Sequence, residues 1–365
     1  MFPTEIKKIH QRIQQIDPVQ YARSRNFSDG AVTHLSPYIS RGVISTKQVF
    51  DHLLSLDLPW QRIEKLVQEL AWRDYWQNIW IAKGDGINED LKHTQDPVSN
   101  HGISDAIVDH GTGINVIDAA IGDLYKTGYM HNHMRMYVAS VACNIAQSHW
   151  LTPARWMYYH LLDGDWASNA LSWQWVAGSN ANKKYYANQD NINKYFNSSQ
   201  KQTFLDVDYE QFSTLAIPEA LLECSNFDPL SDLTDTPNTR LERDKKTLVY
   251  NYYNLDPDWY ADEEVQRVFL LEPSFFKTYP VSPKCIEFVT QLANNIAGIQ
   301  IIVAEFDALT ENVDPAQIIY KEHPTNRHYI GTEESRSWMF DVRGDYPSFF
   351  AFWKKCKKLM PAQPS

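Results

Sequence analysis

Apolar residues recur at helical spacing near the start of the chain, where Ile6, Ile9, Ile13 and Ile16 follow Thr4, a residue suited to capping. This pattern predicts a helix over 4–16. A polar, small-residue stretch then runs to Ser36-Pro37 and reads as a loop entering a helix, with Pro37 in its first turn. Residues 61–81 carry a clear helical period, with Trp72, Trp76 and Trp80 on one stripe, which in the simplest case is core. Residues 82–113, rich in Gly, Asp, Asn and His, read as loop, and a helix follows to Lys126. Between Gly128 and Trp175 lies a long apolar, helix-like run broken by the turn Asp163-Gly164-Asp165. Residues 176–200 are Asn-rich and irregular, and 201–245 are acidic and linker-like.

After Lys246 the period changes. Thr247–Leu255, Val265–Leu271, Ile299–Phe306 and Ala316–Tyr320 have the composition of strands. Ser282–Asn295 reads as a helix among them, and Tyr346–Leu359 as a closing helix with Lys354, Lys355, Lys357 and Lys358 suited to its C-terminal end. That alternation predicts a small α/β layer over 246–365. It has no glycine-rich phosphate loop, so no nucleotide is assigned to it.

Composition narrows the class. A chain of 365 residues, 43% hydrophobic and 13% aromatic, is globular and long enough for two cores. No run of about 18 apolar residues predicts a membrane span, and the N-terminus lacks the apolar core of a signal peptide. Cys143, Cys224, Cys285 and Cys356 are far apart without a CxxC, as expected of reduced thiols in a cytoplasmic protein. His93, His101, His110 and His131 lack ligand spacing, so no metal site is expected. The net charge of −11 is uneven: residues 1–200 hold 18 basic against 19 acidic side chains, and 201–365 hold 16 against 26. The near-neutral front part leaves room for a local basic rim facing nucleic acid.

The chemistry concentrates in 128–175. Asn132, Arg135 and Met136 share a helix face. Asp163, Asp165 and Asn169 follow on the turn, then Trp173 and Trp175. A buried cation needs a partner, so Arg135 pairs with Asp163 or Asp165. Polar groups walled by indoles suit a large planar ligand with polar edges; the plainer alternative is an aromatic core beside a surface ion pair. The loop ending at Ser36 either offers backbone N–H groups to a phosphate or simply caps a helix. Glu69 and Arg73 have the spacing of an ordinary helical ion pair, but a carboxyl beside Trp72 also suits proton donation. Lys183 and Lys184 lie among tyrosines, either touching phosphates or lining a solvated loop.

The run Tyr129-Met130-His131-Asn132 followed by Arg135-Met136, then Asp163-Gly164-Asp165 with Ala167 and Asn169, then Trp173-Gln174-Trp175, resembles the flavin-binding domain of the DNA photolyase and cryptochrome family. So do Glu69-Leu70, Trp72-Arg73-Asp74-Tyr75, and Thr33 with Leu35-Ser36-Pro37, where Val32 replaces a usual threonine. Thr112-Gly113 and Val116 to Ala119 match a further motif, with Asn115 in place of a proline. The resemblance covers residues 1 to about 200 and implies a mainly α fold: a helical FAD-binding domain (1–200), an acidic linker (201–245) and a small α/β C-terminal domain (246–365). The family's α/β antenna domain ordinarily comes first; none is expected here, and the tail would be an antenna-like layer placed behind.

By the same resemblance, FAD is held by Tyr21, Thr33, Leu35, Ser36, Arg73, Asn132, Arg135, Asp163, Asp165 and Asn169. Arg135 would pair with Asp163, Asp165 would accept from the flavin's pyrimidine edge, and Asn169 would lie beside its N5. Glu69, Trp72, Asn132, Met136 and Trp175 would contact a cyclobutane pyrimidine dimer. Trp173 and Trp150 would be the near and middle members of the electron-transfer tryptophans. The outer member belongs between residues 95 and 107, where no tryptophan stands. His133 replaces a common arginine. The implied activity is light-driven repair of dimers in damaged DNA. The competing expectation is a cryptochrome-like blue-light sensor acting on a protein partner, and a vestigial flavin fold is a third.

Overall fold

The computed structural model describes residues 2–233 and 241–360, so 234–240 of the acidic stretch lie outside it. The fold is mainly helical, with one small parallel sheet near the C-terminal end. The chain divides into two compact units that cut across sequence order. The first gathers residues 1–18, 33–82 and 229–365; the second gathers 19–32 and 83–228.

The second unit is built on the helices Asn115–Thr127, Asn132–Ser140, Leu151–His160 and Trp166–Ala177. Three indoles, those of Trp150, Trp156 and Trp166, are fully buried. Each still satisfies its N–H, on Asp90 at 2.8 Å, the Tyr125 hydroxyl at 3.0 Å and Asn88 at 3.0 Å respectively, as a buried tryptophan must. Gly128 ends its helix at φ 72°, a left-handed cap for which glycine is the default. The stretch read as a linker is partly built into this unit. Leu205, Phe212 and Leu221 are buried, and β1 (Ile103–Ser104) pairs antiparallel with β2 (Cys224–Ser225). Apolar positions spaced through an acidic segment supply enough burial to order it.

The first unit holds the sheet: β3 (Thr247–Tyr250), β4 (Gln266–Leu271), β5 (Ile299–Val303), β6 (Ile318–Lys321) and β7 (Thr332–Glu334). All pairings are parallel, in the order β5-β4-β3-β6-β7. This is doubly wound order, reversing between β3 and β6. β3 and β4 are buried at every position, and the polar Gln266 and Arg267 within β4 are satisfied by the Thr247 hydroxyl and the Glu263 carbonyl. β3 stops short of Leu255 because the Asn251 carboxamide turns the chain, accepting the Tyr253 N–H at 2.9 Å. β7 escapes the sequence pattern because Thr-Glu-Glu is a polar edge strand.

The N-terminal helices Ile6–Gln14, Thr46–Ser55 and Trp60–Lys83 run in this same unit. Ser45 and Gln48 close a capping box at the start of the second of these. Thr4 is not a cap: Glu5 holds that position without a side-chain bond, and the Thr4 carbonyl accepts from Asn295 at 2.7 Å. The helix Trp60–Lys83 is clasped by residues 336–357 through Gln77–Arg336 at 2.8 Å, Asn78–Gly344 at 3.2 Å and Glu64–Lys357 at 2.7 Å.

Candidate functional site

In the second unit, the turn at Asp163 is set by one charge pair. The Arg135 guanidinium donates to both Asp163 oxygens, at 3.0 and 2.9 Å, and its Nε donates to the Met130 carbonyl at 2.9 Å. Asp163 is therefore the partner, not Asp165. Asp165 caps the helix Trp166–Ala177 instead, accepting the Ser168 N–H at 2.7 Å. A carboxylate at that end is favoured by the helix dipole. Both carboxylates are buried. Burial pushes the hydroxyl pKa of Tyr129, the ring beneath Arg135, up to about 12.

Asn169 stands one turn into that helix and donates its amide to the Ala154 carbonyl at 2.8 Å. Its carboxamide oxygen has no protein partner among the described residues. The buried Ser168 hydroxyl beside it likewise has none. Polar atoms left open next to a capped carboxylate are what a bound polar ring edge would satisfy. This side of the unit fits a flavin. Asn132 opens the helix Asn132–Ser140 and is exposed, while Met136 on that helix is partly buried. Tyr21 lies on the helix Pro18–Ser24, its ring 6.0 Å from the Arg25 guanidinium.

Trp173 is buried and Trp175 is 40% exposed, with the Tyr185 ring 5.8 Å away. Trp150 is closed off from solvent, and His149 flanks it at 5.7 Å. Nothing aromatic continues from Trp150 except histidines, His149 and then His101 at 5.2 Å, among the described residues' ring contacts. His133, in place of the common arginine, meets the Asn26 carbonyl at 2.9 Å and lies between the Tyr137 and Tyr195 rings. Burial lowers its pKa, so it is a weaker phosphate ligand than arginine.

In the first unit, Thr33, Leu35 and Ser36 lead into the five-residue helix Ser36–Ser40, with Pro37 in its first turn. His34 holds φ 52°, a strained conformation for a side chain of that kind and a mark of a constrained loop. Arg73 donates to the Ser40 hydroxyl at 2.6 Å, which brings a cation to that helix. Glu69 pairs with Lys65 at 2.7 Å. Trp72 is partly buried, and one face is taken: the Phe349 ring stacks on it at 3.9 Å and 9°. Sequence reasoning gave Phe349 no role. The aromatic run Phe349-Phe350-Ala351-Phe352-Trp353 was the available signal.

Among the described residues no group of His, Cys, Asp and Glu could hold a metal ion, and no helix is long and apolar enough to cross a membrane.

Residues 66–217 match the model of the FAD-binding domain of DNA photolyase. A deoxyribodipyrimidine photo-lyase of Alkalihalophilus pseudofirmus is 29% identical over 167 residues, 43% of this chain and 34% of that protein. Cryptochrome-1 of Arabidopsis thaliana is 23% identical over 192 residues, 47% of this chain and 27% of that protein. A crystal structure of a Synechocystis cryptochrome matches 53% of this chain and 44% of its own at 22% identity, with a TM-score of 0.48. The chain thus spans about a third of the length of the curated relatives it matches.

Proposed function

We propose that this chain, which carries the FAD-binding domain of the photolyase and cryptochrome family, uses light to repair cyclobutane pyrimidine dimers in DNA. FAD is its cofactor; in its reduced form it would lend an electron to the dimer and regain it once the two pyrimidines separate, so the repair is net redox-neutral. The chain's own groups do the rest. Arg135 and Asp163 hold the turn that presents Asp165 and Asn169. Arg73 brings a cation to the Ser36 loop for the phosphates. The motif residues assigned to the dimer are Glu69, which would donate a hydrogen bond only when protonated and released from Lys65, the indoles of Trp72 and Trp175, and Asn132 and Met136. The target bonds are inaccessible in stacked DNA, so the dimer must be flipped out, and aromatic faces repay the lost stacking.

The observation that carries this reading is the clasp of Arg135 on both oxygens of Asp163. It fixes the Asp-Gly-Asp turn from which Asp165 caps the helix that carries Asn169. The relatives named as photo-lyases and the motif residues Glu69, Trp72 and Trp175 support the lyase reading over a passive fold. A cytoplasmic setting, which keeps the four thiols reduced, belongs to the same proposal. The test is the purified protein with reduced FAD and a dimer-containing oligonucleotide under blue light; absence of thymine recovery sinks the repair reading.

A second reading is a blue-light sensor with a protein partner. The Phe349 ring over Trp72 favours it, because a stacking face in use is not open to a base. Filter binding to damaged and intact DNA separates the two.

A further inference from the structure

Trp72 is the indole that the repair reading assigns to stacking, and the chain already stacks it. The Phe349 ring lies parallel to it at 3.9 Å between centroids and 9° between planes. That is the contact distance of two aromatic faces, about 3.5–4.0 Å, so no base fits between them. Tyr75 and Trp76 crowd the indole from the side, at 5.7 and 5.0 Å.

The contact is part of a longer dock. Phe349 opens the helix Phe349–Cys356, capped by the Ser348 hydroxyl accepting from the Ala351 N–H. Phe349 runs parallel to Trp353 at 6.1 Å, and Trp353 to Trp60 at 6.5 Å, making a ladder Trp72–Phe349–Trp353–Trp60. The irregular segment before it is tied to the same long helix, with the Tyr75 hydroxyl donating to the Tyr346 carbonyl at 3.1 Å. Phe349, Phe352 and Trp353 are all buried, whereas Phe350 between them is 71% exposed. The helix is amphipathic, and its apolar side is spent on Trp72 and its neighbours.

We propose that Phe349 gates the Trp72 face on which it lies: it holds the place of a stacked base, and a dimer stacks on that face only by displacing it. The idea rests on the repair reading of Trp72. A ligand must repay the lost Phe349 stack, so an ordinary base, which gains a single stack, exchanges one contact for an equal one. A flipped dimer, with two rings and further polar contacts, gains more than it displaces. Phe349 thereby sets a threshold against intact DNA and weakens binding of the dimer by the same amount.

Two measurements on the full-length, FAD-loaded protein test this. The first is hydrogen exchange over residues 349–356 of the wild type with excess dimer-containing single-stranded oligonucleotide or its intact counterpart. The dimer is expected to raise exchange in this helix and the intact strand to leave it unchanged. The second is binding of both oligonucleotides to wild type, Phe349→Ala, Phe349→Leu and the double variant Trp72→Ala/Phe349→Ala. Phe349→Ala is expected to bind both oligonucleotides about tenfold tighter than wild type, the scale of one base–aromatic stack. Phe349→Leu, which keeps apolar bulk, gains less, and the double variant loses the gain. Wild type that prefers the dimer while exchange in 349–356 stays unchanged overturns the gate and leaves the repair reading standing. So does equal binding by wild type and Phe349→Ala. No preference for the dimer in either protein overturns both.

Discussion

The Asp74 carboxylate accepts the Met339 backbone N–H at 3.0 Å, across 265 positions of sequence. It also accepts the Thr46 hydroxyl at 3.0 Å, so it ties two segments to the long helix that carries Trp72. Burial is the dominant influence on it and raises its pKa from 3.8 to about 6, against the pull of the two donors and of Arg336 and Arg73. A carboxyl whose folded pKa lies above its unfolded value favours the folded state when protonated. That stabilisation is fully present below about pH 4 and is lost as pH rises through about 6. The shift corresponds to about 3 kcal/mol at most. Urea midpoints of wild type and Asp74→Asn, measured from pH 4.5 to 7.5, should diverge: the wild type loses stability relative to the variant as pH rises. Parallel curves would remove the assignment.

Much of the second unit was legible because its information is local. Arg135 and Asp163 are one helix and one turn apart in sequence order, and the pairing rule for buried charge needs no further knowledge to demand a carboxylate. The pairing rule alone left Asp163 and Asp165 open, since the choice turns on which carboxylate faces back and which caps; the family resemblance named Asp163, and that is the pair formed. The first unit was far less so. Its three chain segments are brought together by contacts such as Asp74–Met339 and Trp72–Phe349, which no periodicity encodes. In the sequence Asp74 is only one member of the Trp72-Arg73-Asp74-Tyr75 motif, and its burial depends on the distant segment folded over it. The strands β3 and β4 were legible from their strand-like composition, and the short polar β7 was not.

Breaking the Arg135–Asp163 pair should cost more than removing it. Asp163 is the more buried partner, with 4% of its side chain exposed against 20% for Arg135. Asp163→Ala leaves a guanidinium partly buried with only the Met130 carbonyl, and a stability loss of about 3 kcal/mol is expected. Asp163→Asn keeps one acceptor and loses less. Urea unfolding measures the loss, and the flavin absorbance of the purified variant reports whether the turn still retains FAD. Full retention of both stability and colour in Asp163→Ala would show the pair to be dispensable.

Gly128 tests the packing of the same turn from the other side. At φ 72° a side chain is strained, and a Cβ there would lie 2.6 Å from the Leu162 Cγ, directly ahead of Asp163. Gly128→Ala should therefore lower stability by about 1–3 kcal/mol, from backbone strain and overpacking together. Leu162→Ala relieves the contact but opens a cavity, so the double variant should be less destabilised than the sum of the two singles. Thermal unfolding of the three variants is the measurement, and simple additivity would argue against the contact.

Trp173 and Trp150 are both buried, and no tryptophan stands between residues 95 and 107 to continue the path. What lies past Trp150 is a carboxylate: its indole N–H donates to Asp90 at 2.8 Å. His149 is 3.6 Å from the same carboxylate, and burial lowers its pKa, which favours the neutral ring and reduces competition for Asp90. An indole that has given up an electron is positively charged, and a hydrogen-bonded carboxylate stabilises it and accepts its proton. If Trp173 and Trp150 carry the electron, as the family resemblance implies, a path ending on Asp90 should photoreduce the flavin without a third indole. Trp150→Phe is expected to slow photoreduction at least tenfold, and Asp90→Asn to slow it by less, a tenfold change being about 1.4 kcal/mol of barrier. Both are read from the bleaching of oxidised flavin under blue light with external reductant, at matched FAD content. Unchanged rates in Trp150→Phe would mean that electrons reach the flavin by another route, and the role assigned to Asp90 would fall with it.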